Sequence, residues 1–144
     1  MKFWDASAIV PLLIRESSTT PLRELIANDP DMAVWWASEV ECVSALTRRE
    51  RGGILSPREV ASAMHVLQQL ASGWSEIEPI QAVRQAAERF LRVHPLRAAD
   101  ALQLAAAYLA SDRNPATLEF VTLDDRLAGA AQKEGFAVLE IALE

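Results

Sequence analysis

Short apolar stretches alternate with segments whose apolar residues recur at helical spacing along the whole chain. Strands that alternate with helices are typical of a parallel α/β sheet. The stretches predicted as strands span residues 2–5, 32–36, 74–78, 119–123 and 137–141. No internal repeat, low-complexity tract or Gly/Ser linker interrupts the alternation. We therefore predict one α/β domain over residues 1–144 with a central parallel sheet of about five strands.

Helix-start and helix-stop signals divide the segments between the strands. Thr20 followed by Pro21 is typical of an N-cap and a first turn, and Gly52-Gly53 is typical of a helix end. The predicted helices are residues 6–14, 98–110 and 125–134, three that begin at Thr20, Ser38 and Ser56, and one that follows Pro79. The segment 98–110 is apolar almost all round, which predicts a helix buried inside the protein.

Length and composition indicate a compact globular protein. The chain has 144 residues, of which 51% are hydrophobic and 24% charged, so it can bury a core without disulfide or metal staples. The single cysteine, Cys42, excludes an intrachain disulfide and a cysteine-based zinc site, and fits a reducing cytosol. Neither a signal-peptide pattern nor an uninterrupted span of about 20 apolar residues is present. We therefore expect a cytoplasmic protein that does not enter a membrane.

The overall charge argues against one kind of nucleic-acid binding. With a net charge of -6 and a pI near 5.0, the chain lacks the basic footprint of a protein that holds nucleic acid by charge alone. The argument weakens if several acids share one pocket, because bound divalent cations reverse the local field. Arg48, Arg49 and Arg51 form the only dense basic cluster. They are either a solvated helix end, which cations suit, or a contact for phosphate.

Four acidic residues occupy positions where a parallel α/β sheet places its chemistry, because ligands bind outside the carboxyl ends of the strands. Asp5 ends the first predicted strand and Asp124 ends the fourth, whereas Glu41 and Asp100 lie in the first turns of helices. Four carboxylates in one cleft would repel each other unless cations neutralised them. Oxygen ligands suit Mg²⁺ or Mn²⁺, and two such ions about 3.5–4 Å apart can promote phosphodiester hydrolysis.

Each acid also has an ordinary structural interpretation. Glu41 is spaced to form a capping box with Ser38, and Asp124 or Asp125 suits a helix N-cap. Asp100 suits the positive end of a helix dipole, and Asp5 suits a turn at a strand end. On this interpretation the protein is a non-catalytic α/β binding module. Asp100 fits it worst, because a carboxylate that opens an otherwise apolar helix is costly to bury without a partner or a metal.

Four short motifs in this order resemble those of the PIN-domain family, in particular its stand-alone VapC-type toxins. In chain order they are Trp4 to Val10 with a D-x-S pattern, Glu41 with Leu46, Ala99 to Ala105, and Val121 to Asp124 followed by Leu127 and Gly135. Each motif is common by itself, but the four in this order within one short chain form a specific pattern. The resemblance extends over almost the whole chain.

The resemblance implies a site, an activity and partners. It implies that Asp5, Glu41, Asp100 and Asp124 are catalytic and ligate Mg²⁺ or Mn²⁺, with Ser7 as a supporting hydroxyl. The implied fold is a parallel sheet with helices on both sides. The implied activity is that of a metal-dependent endoribonuclease acting on RNA, as the toxin of a toxin–antitoxin pair. A small antitoxin that blocks the cleft is the implied partner, and homodimers are common in the family.

Two neighbouring acids are alternative site residues, and two other protein classes also place acids after strands of an α/β sheet. Glu39 competes with Glu41 as the second acid, and Asp125 competes with Asp124 as the fourth. A phosphatase of the haloacid dehalogenase type needs a second Asp two residues after the first, and this chain has Ser7 there. A response-regulator receiver domain needs a lysine after a late strand, but the only lysines are residues 2 and 133.

The remaining reactive side chains are predicted to be structural. His65 and His94 are isolated in the sequence, so we expect each to be a structural or surface residue. Cys42 is expected to be a small core residue. Trp35 and Trp36 could stack on bases, but their place in an apolar strand predicts that at least one of them packs in the core.

Overall fold

Five short strands form one parallel sheet at the centre of the computed structural model, which describes residues 1–144. In chain order they are β1 (Lys2–Trp4), β2 (Met32–Trp35), β3 (Ser75–Ile77), β4 (Glu119–Val121) and β5 (Ala137–Val138). Their spatial order is β3-β2-β1-β4-β5, and every neighbouring pair is parallel. The prediction of a five-stranded parallel α/β sheet is confirmed.

Seven helices connect and cover the strands. They are α1 (Ala6–Leu13), α2 (Thr19–Asn28), α3 (Ser38–Arg51), α4 (Pro57–Ala71), α5 (Gln81–Val93), α6 (Ala98–Ala110) and α7 (Asp125–Lys133), with a 3₁₀ turn at Pro115–Thr117. Most of α6 beyond its first turn is buried, as its apolar sequence predicts. None of the helices combines the length and the hydropathy that a membrane span requires.

The sheet separates two hydrophobic cores, because successive side chains of a strand point to opposite faces. Phe3 of β1 packs on one face with α5, α6 and α7, and its ring centroid lies 5.2 Å from that of Phe120. Trp4, the next residue, packs on the other face with α1 to α4. Helices therefore lie on both sides of the sheet. β2 is apolar and buried at every position because both of its faces are covered.

Several element ends differ from the predictions. The helix predicted to begin with Thr20 as its N-cap begins at Thr19, so the N-cap prediction is wrong. The N-cap is Ser18, two residues earlier, and the buried Thr19 hydroxyl fixes this start by donating to the Pro11 carbonyl at 2.7 Å and accepting from the Glu16 N–H at 2.8 Å. β4 ends at Val121 and β5 at Val138, both short of the predicted ends. Only Glu119 and Phe120 pair with residues of β5, so the apolar residues beyond them pack without a strand ladder.

The histidine, cysteine and tryptophan side chains that were predicted to be structural lie in the core or on the surface, as expected. Cys42 and Trp35 are buried in the two cores, whereas Trp36 is half exposed. His65 is exposed on α4. His94 is buried, and its Nε2 lies 2.6 Å from a carboxylate oxygen of Glu134, which joins the end of α5 to the end of α7. Neither histidine lines the cleft that contains the acids.

Candidate active site

The strand order creates a crevice between β1 and β4. From β1 the sheet extends through β2 to β3 on one side and through β4 to β5 on the other. The helix that follows β1 packs on one face of the sheet, and the helix that follows β4 packs on the other. Such a switch point opens a crevice at the carboxyl ends of the two strands. Asp5 follows β1 directly and Asp124 lies three residues after β4, so both stand at its edge.

Asp5 is held by hydroxyl groups from both sides of this crevice. It caps α1, is only 5% exposed, and its Oδ2 accepts hydrogen bonds from the Ser7 hydroxyl and from Thr122 Oγ1 at 2.8 Å. The two hydroxyls accept in turn from the N–H groups of Leu123 (2.9 Å) and Asp124 (3.0 Å). Each hydroxyl hydrogen is thus directed at Asp5.

The second oxygen of Asp5 remains free for a ligand. Oδ1 accepts no hydrogen bond from the protein, and it is not among the buried atoms left without a partner. It therefore stays accessible from the cleft that Asp5 lines. Burial raises the pKa of Asp5, the bonds from Ser7 and Thr122 lower it, and the nearby Asp124 raises it further. A cation at Oδ1 would relieve the cost of the buried charge.

Asp124 combines the two interpretations offered by the sequence. It is the N-cap of α7, and its Oδ1 accepts from the Leu127 N–H at 2.9 Å. It also lines the same cleft as Asp5. A carboxylate has two oxygens, so capping through Oδ1 leaves Oδ2 free of any hydrogen bond within the protein. Helix capping and a role in the cleft therefore do not exclude each other at this residue.

Glu41 does not belong to a capping box. The N-cap of α3 is Ala37, which makes no side-chain cap, and Ser38 is the first residue of the helix and fully buried. The Glu41 N–H bonds to the Ala37 carbonyl at 3.0 Å, as in any helix turn. The capping-box alternative for Glu41 is therefore wrong. A true capping box does form at Ser56 and Glu59, where the same sequence pattern occurs.

The Glu41 carboxylate instead receives a hydrogen bond from Gln103 of α6, whose Nε2 lies 3.1 Å from Glu41 Oε2. Burial raises the pKa of Glu41 to about 7, the Gln103 bond opposes this rise, and the charges of Asp5 and Asp100 add to it. The negative charges of Glu41, Asp5 and Asp100 therefore repel one another. Gln103 was not among the predicted site residues, although a glutamine one turn after Asp100 in an otherwise apolar helix indicates a polar role.

Asp100 is the third residue of α6 and is partly buried. Burial raises its pKa, Asp124 raises it further, and Arg97 and Arg126 lower it. Asp100 lines the same cleft as Asp5, so α6 begins at the rim where β1 and β4 end.

The cleft has a volume of about 750 Å³ and is lined mainly by polar and charged side chains. Its charged residues are Asp5, Glu16, Glu41, Asp100, Asp124 and Asp125 with Arg48, Arg49, Arg97 and Arg126. Glu39, the competitor of Glu41, does not line it, whereas Asp125 lines it together with Asp124. Arg49 pairs with Glu16 at 3.0 Å. Arg51, the third member of the basic cluster, lies outside the cleft.

The donor set fits a hard divalent cation. Its anionic side chains offer only oxygen, the atom that Mg²⁺ and Mn²⁺ prefer. No three Asp, Glu, His or Cys side chains stand close enough together to enclose an ion by themselves. Mg²⁺ usually keeps several of its waters and binds proteins through one or two carboxylates, so a tight cage is not required. Asp5 Oδ1 and the mutually repelling Glu41 and Asp100 are the groups that a cation would relieve most.

The sequence itself decides the family. The model of the PIN domain matches residues 2–133. The chain belongs to the PIN-domain family. Its four candidate acids all lie within the matched residues. No curated protein sequence matches the chain significantly.

Solved structures show the same PIN fold at low sequence identity. A structure titled as a toxin–antitoxin complex from Klebsiella pneumoniae is 15% identical, with a TM-score of 0.65 and 97% of both chains covered. FitAcB from Neisseria gonorrhoeae is 16% identical, with a TM-score of 0.67 and 97% of both chains covered. PAE2754 from Pyrobaculum aerophilum is 23% identical, with a TM-score of 0.60, over 90% of this chain and 83% of its own. These likenesses concern the fold.

Proposed function

We propose that this PIN domain is a metal-dependent endoribonuclease that hydrolyses RNA phosphodiester bonds. The observation that carries the proposal is that four carboxylates from separate elements line one cleft beside several arginines. Asp5, Glu41, Asp100 and Asp124 would ligate Mg²⁺ or Mn²⁺ and form the catalytic site. PIN domains are generally nucleases, which supports a hydrolase.

Different side chains of the cleft would have different roles in such a reaction. Bound metal would supply an activated water and stabilise the charge that develops on the phosphate oxygens. Asp5 is fixed by Ser7 and Thr122, so its free oxygen presents a constant ligand position. Glu41, with a pKa of about 7, holds a proton for part of the time at neutral pH and would release it when a cation enters.

Arginines give the cleft its affinity for a polyanion. Arg48, Arg97 and Arg126 line it and make no salt bridge, so their guanidinium groups are free to bind phosphate. Six carboxylates and four guanidinium groups line the cleft, an excess of two negative charges. One divalent ion would balance that excess, and a second would make the cleft positive. The acidic net charge of the chain is therefore compatible with an RNA substrate.

Cleavage of total cellular RNA by the purified protein tests the proposal. Discrete fragments should form with Mg²⁺ or Mn²⁺ and not with a chelator, because the site needs a cation. Asp100→Asn should abolish cleavage without unfolding the protein, since it removes one charge from a partly buried group. The matched control is Asp31→Asn, an exposed aspartate outside the cleft, which should retain activity. Equal cleavage by Asp100→Asn and by wild type would remove the cleft from the mechanism.

A toxin of a toxin–antitoxin pair is the biological role that fits this activity, with an antitoxin that blocks the cleft. The support is the shared fold with a chain of the Klebsiella pneumoniae toxin–antitoxin complex. Expression of the chain alone should arrest growth of a host cell, because free ribonuclease degrades its RNA. Asp100→Asn at equal expression should restore growth. Normal growth of cells that express active wild-type ribonuclease would contradict the toxin role.

A homodimer is part of the same proposal. Trp36, two residues before α3, and Val40, in the first turn of α3, are large apolar side chains that are 52% and 65% exposed. Exposed apolar side chains of this size are typical of surfaces that bind another protein. Light scattering on the purified chain should give twice the monomer mass of 15.8 kDa. A monomer mass at micromolar concentration would contradict this part.

A non-catalytic binding module remains the second candidate, and one observation favours it. Asp5 and Asp124 do act as helix N-caps, which is the ordinary role that the sequence offered for Asp124. On this alternative the purified protein would bind neither Mg²⁺ nor Mn²⁺, and its stability would not depend on either ion. Calorimetry at millimolar metal separates the two candidates.

A further inference from the structure

A buried glutamine joins the two helices that carry Glu41 and Asp100. Gln103 is 1% exposed, and its Nε2 donates to Glu41 Oε2 at 3.1 Å and to Ser38 Oγ at 2.9 Å. Glu41 and Ser38 are on α3, one turn apart, whereas Gln103 is on α6, one turn after Asp100. These are the only side-chain hydrogen bonds between α6 and α3.

The chemistry of the partners fixes the orientation of the amide. The ionised form of Glu41, the form that would bind a cation, can only accept hydrogen bonds, and the amide nitrogen of Gln103 faces it. The nitrogen has two hydrogens, and Ser38 takes the second one. Because Ser38 is buried at the first turn of α3, it holds the plane of the amide against the start of the helix that carries Glu41. Glu41 is thereby bonded to a group that cannot rotate freely.

Core packing alone does not account for a glutamine at this position. Its Oε1 is buried and accepts no hydrogen bond. The neighbouring buried residues of α6, Ala101 and Leu104, are apolar. An apolar side chain of the same length would fill the space without burying an unpartnered oxygen, so the amide carries a cost to folding. A buried polar atom without a partner is uncommon in folded proteins, so the amide needs an explanation other than packing.

We infer that Gln103 is a positioning residue, which fixes the Glu41 carboxylate at the cleft so that α6 sets the spacing between Glu41 and Asp100. The inference rests on the proposed function, since it gives Glu41 a part in holding the cation. Gln103 touches neither cation nor substrate and does not line the cleft. It acts through Glu41 alone, and this restriction makes the inference testable.

The test is a double-mutant cycle on Mn²⁺ affinity, measured by calorimetry without RNA. Gln103→Met keeps the length of the side chain and removes its donor. It should weaken Mn²⁺ binding about 10-fold or more, the usual effect of losing a partner of a metal ligand. In the Glu41→Gln background the same change should weaken binding less than about twofold, because Glu41 no longer needs positioning. Gln132→Met, an exposed glutamine of α7 outside the cleft, is the matched control and should bind as wild type does.

Two results would overturn the inference. One is Mn²⁺ affinity of Gln103→Met equal to that of wild type, and the other is an equal loss with and without Glu41. If Gln103→Met does not fold, Ser38→Ala replaces it in the cycle, and a loss of affinity that disappears in Glu41→Gln is again expected. If wild type binds no Mn²⁺ or Mg²⁺, the proposed function fails by itself. The crystal structure of the Gln103→Met variant then decides, and a Glu41 side chain unmoved in it overturns the positioning.

Discussion

The pH dependence of stability in the absence of metal follows directly from the acids of the cleft. Burial and neighbouring charges raise the pKa of Glu41 from 4.5 to about 7 in the folded protein. Folding therefore favours the protonated carboxyl. Its contribution to stability is fully present below the unfolded pKa of 4.5 and is lost as the pH rises through 7. The chelated protein should be less stable at pH 8 than at pH 5.

The size of this loss can be worked out from the same shift. A rise from 4.5 to about 7 corresponds to about 3 kcal/mol if the whole shift acts on stability. Glu41 is partly exposed, so solvent screening reduces the expected loss to about 1–2 kcal/mol. For a domain of this size, the loss equals a fall in melting temperature of roughly 3–8 °C. Asp5 and Asp100 also have raised pKa values and act in the same direction.

Glu41→Gln isolates the contribution of one group. The glutamine side chain at position 41 is uncharged at every pH, so the stability of the variant should fall by about 1–2 kcal/mol less than that of wild type between pH 5 and pH 8. Urea denaturation of both proteins in chelator measures the difference, and histidine ionisation cancels in the comparison. Glu39→Gln, on the same helix but outside the cleft, is the control and should follow wild type. Equal pH slopes for wild type and Glu41→Gln would refute the electrostatic account of the cleft.

The fold could be predicted in outline because its signals are local. Strands buried on both faces appear as apolar runs, and the helix from Ala98 is apolar almost all round because it is buried. The order of the strands could not be predicted, since it depends on contacts such as the pairing of Phe3 with Phe120 across the chain. The wrong N-cap at Thr20 has the same origin. Thr19 is fixed by Pro11, a residue of the preceding helix.

The site could be predicted where chemistry follows from position along the chain. Asp5 and Asp124 each follow a predicted strand, and parallel strands end at the same rim of a sheet, so their place at that rim was predictable. The bonds that hold the acids were not, because they join residues far apart in the sequence. Gln103 lies 62 residues from Glu41, and Thr122 lies 117 residues from Asp5. The ambiguity of Glu41 between capping box and cleft could be resolved only by its partner.

Three further perturbations test the stability, the metal binding and the RNA binding of the cleft. Thr122→Val removes a hydroxyl that donates to the buried Asp5, so urea denaturation should show a loss of about 1–3 kcal/mol, and unchanged stability would mean that the bond contributes nothing. Mn²⁺ should raise the melting temperature more at pH 8 than at pH 5, because metal ligands must be deprotonated, and equal rises would speak against carboxylate ligation. The last concerns the substrate and uses inactive Asp100→Asn, so that RNA binding is measured without cleavage. Arg126 lines the cleft without an ion pair, and each cation that contacts a phosphate displaces counterions. Arg126→Ala should therefore weaken RNA binding and reduce the slope of log affinity against log salt by about 0.7, whereas Arg51→Ala, outside the cleft, should leave both unchanged. Equal slopes for the two variants would show that RNA does not lie along this cleft.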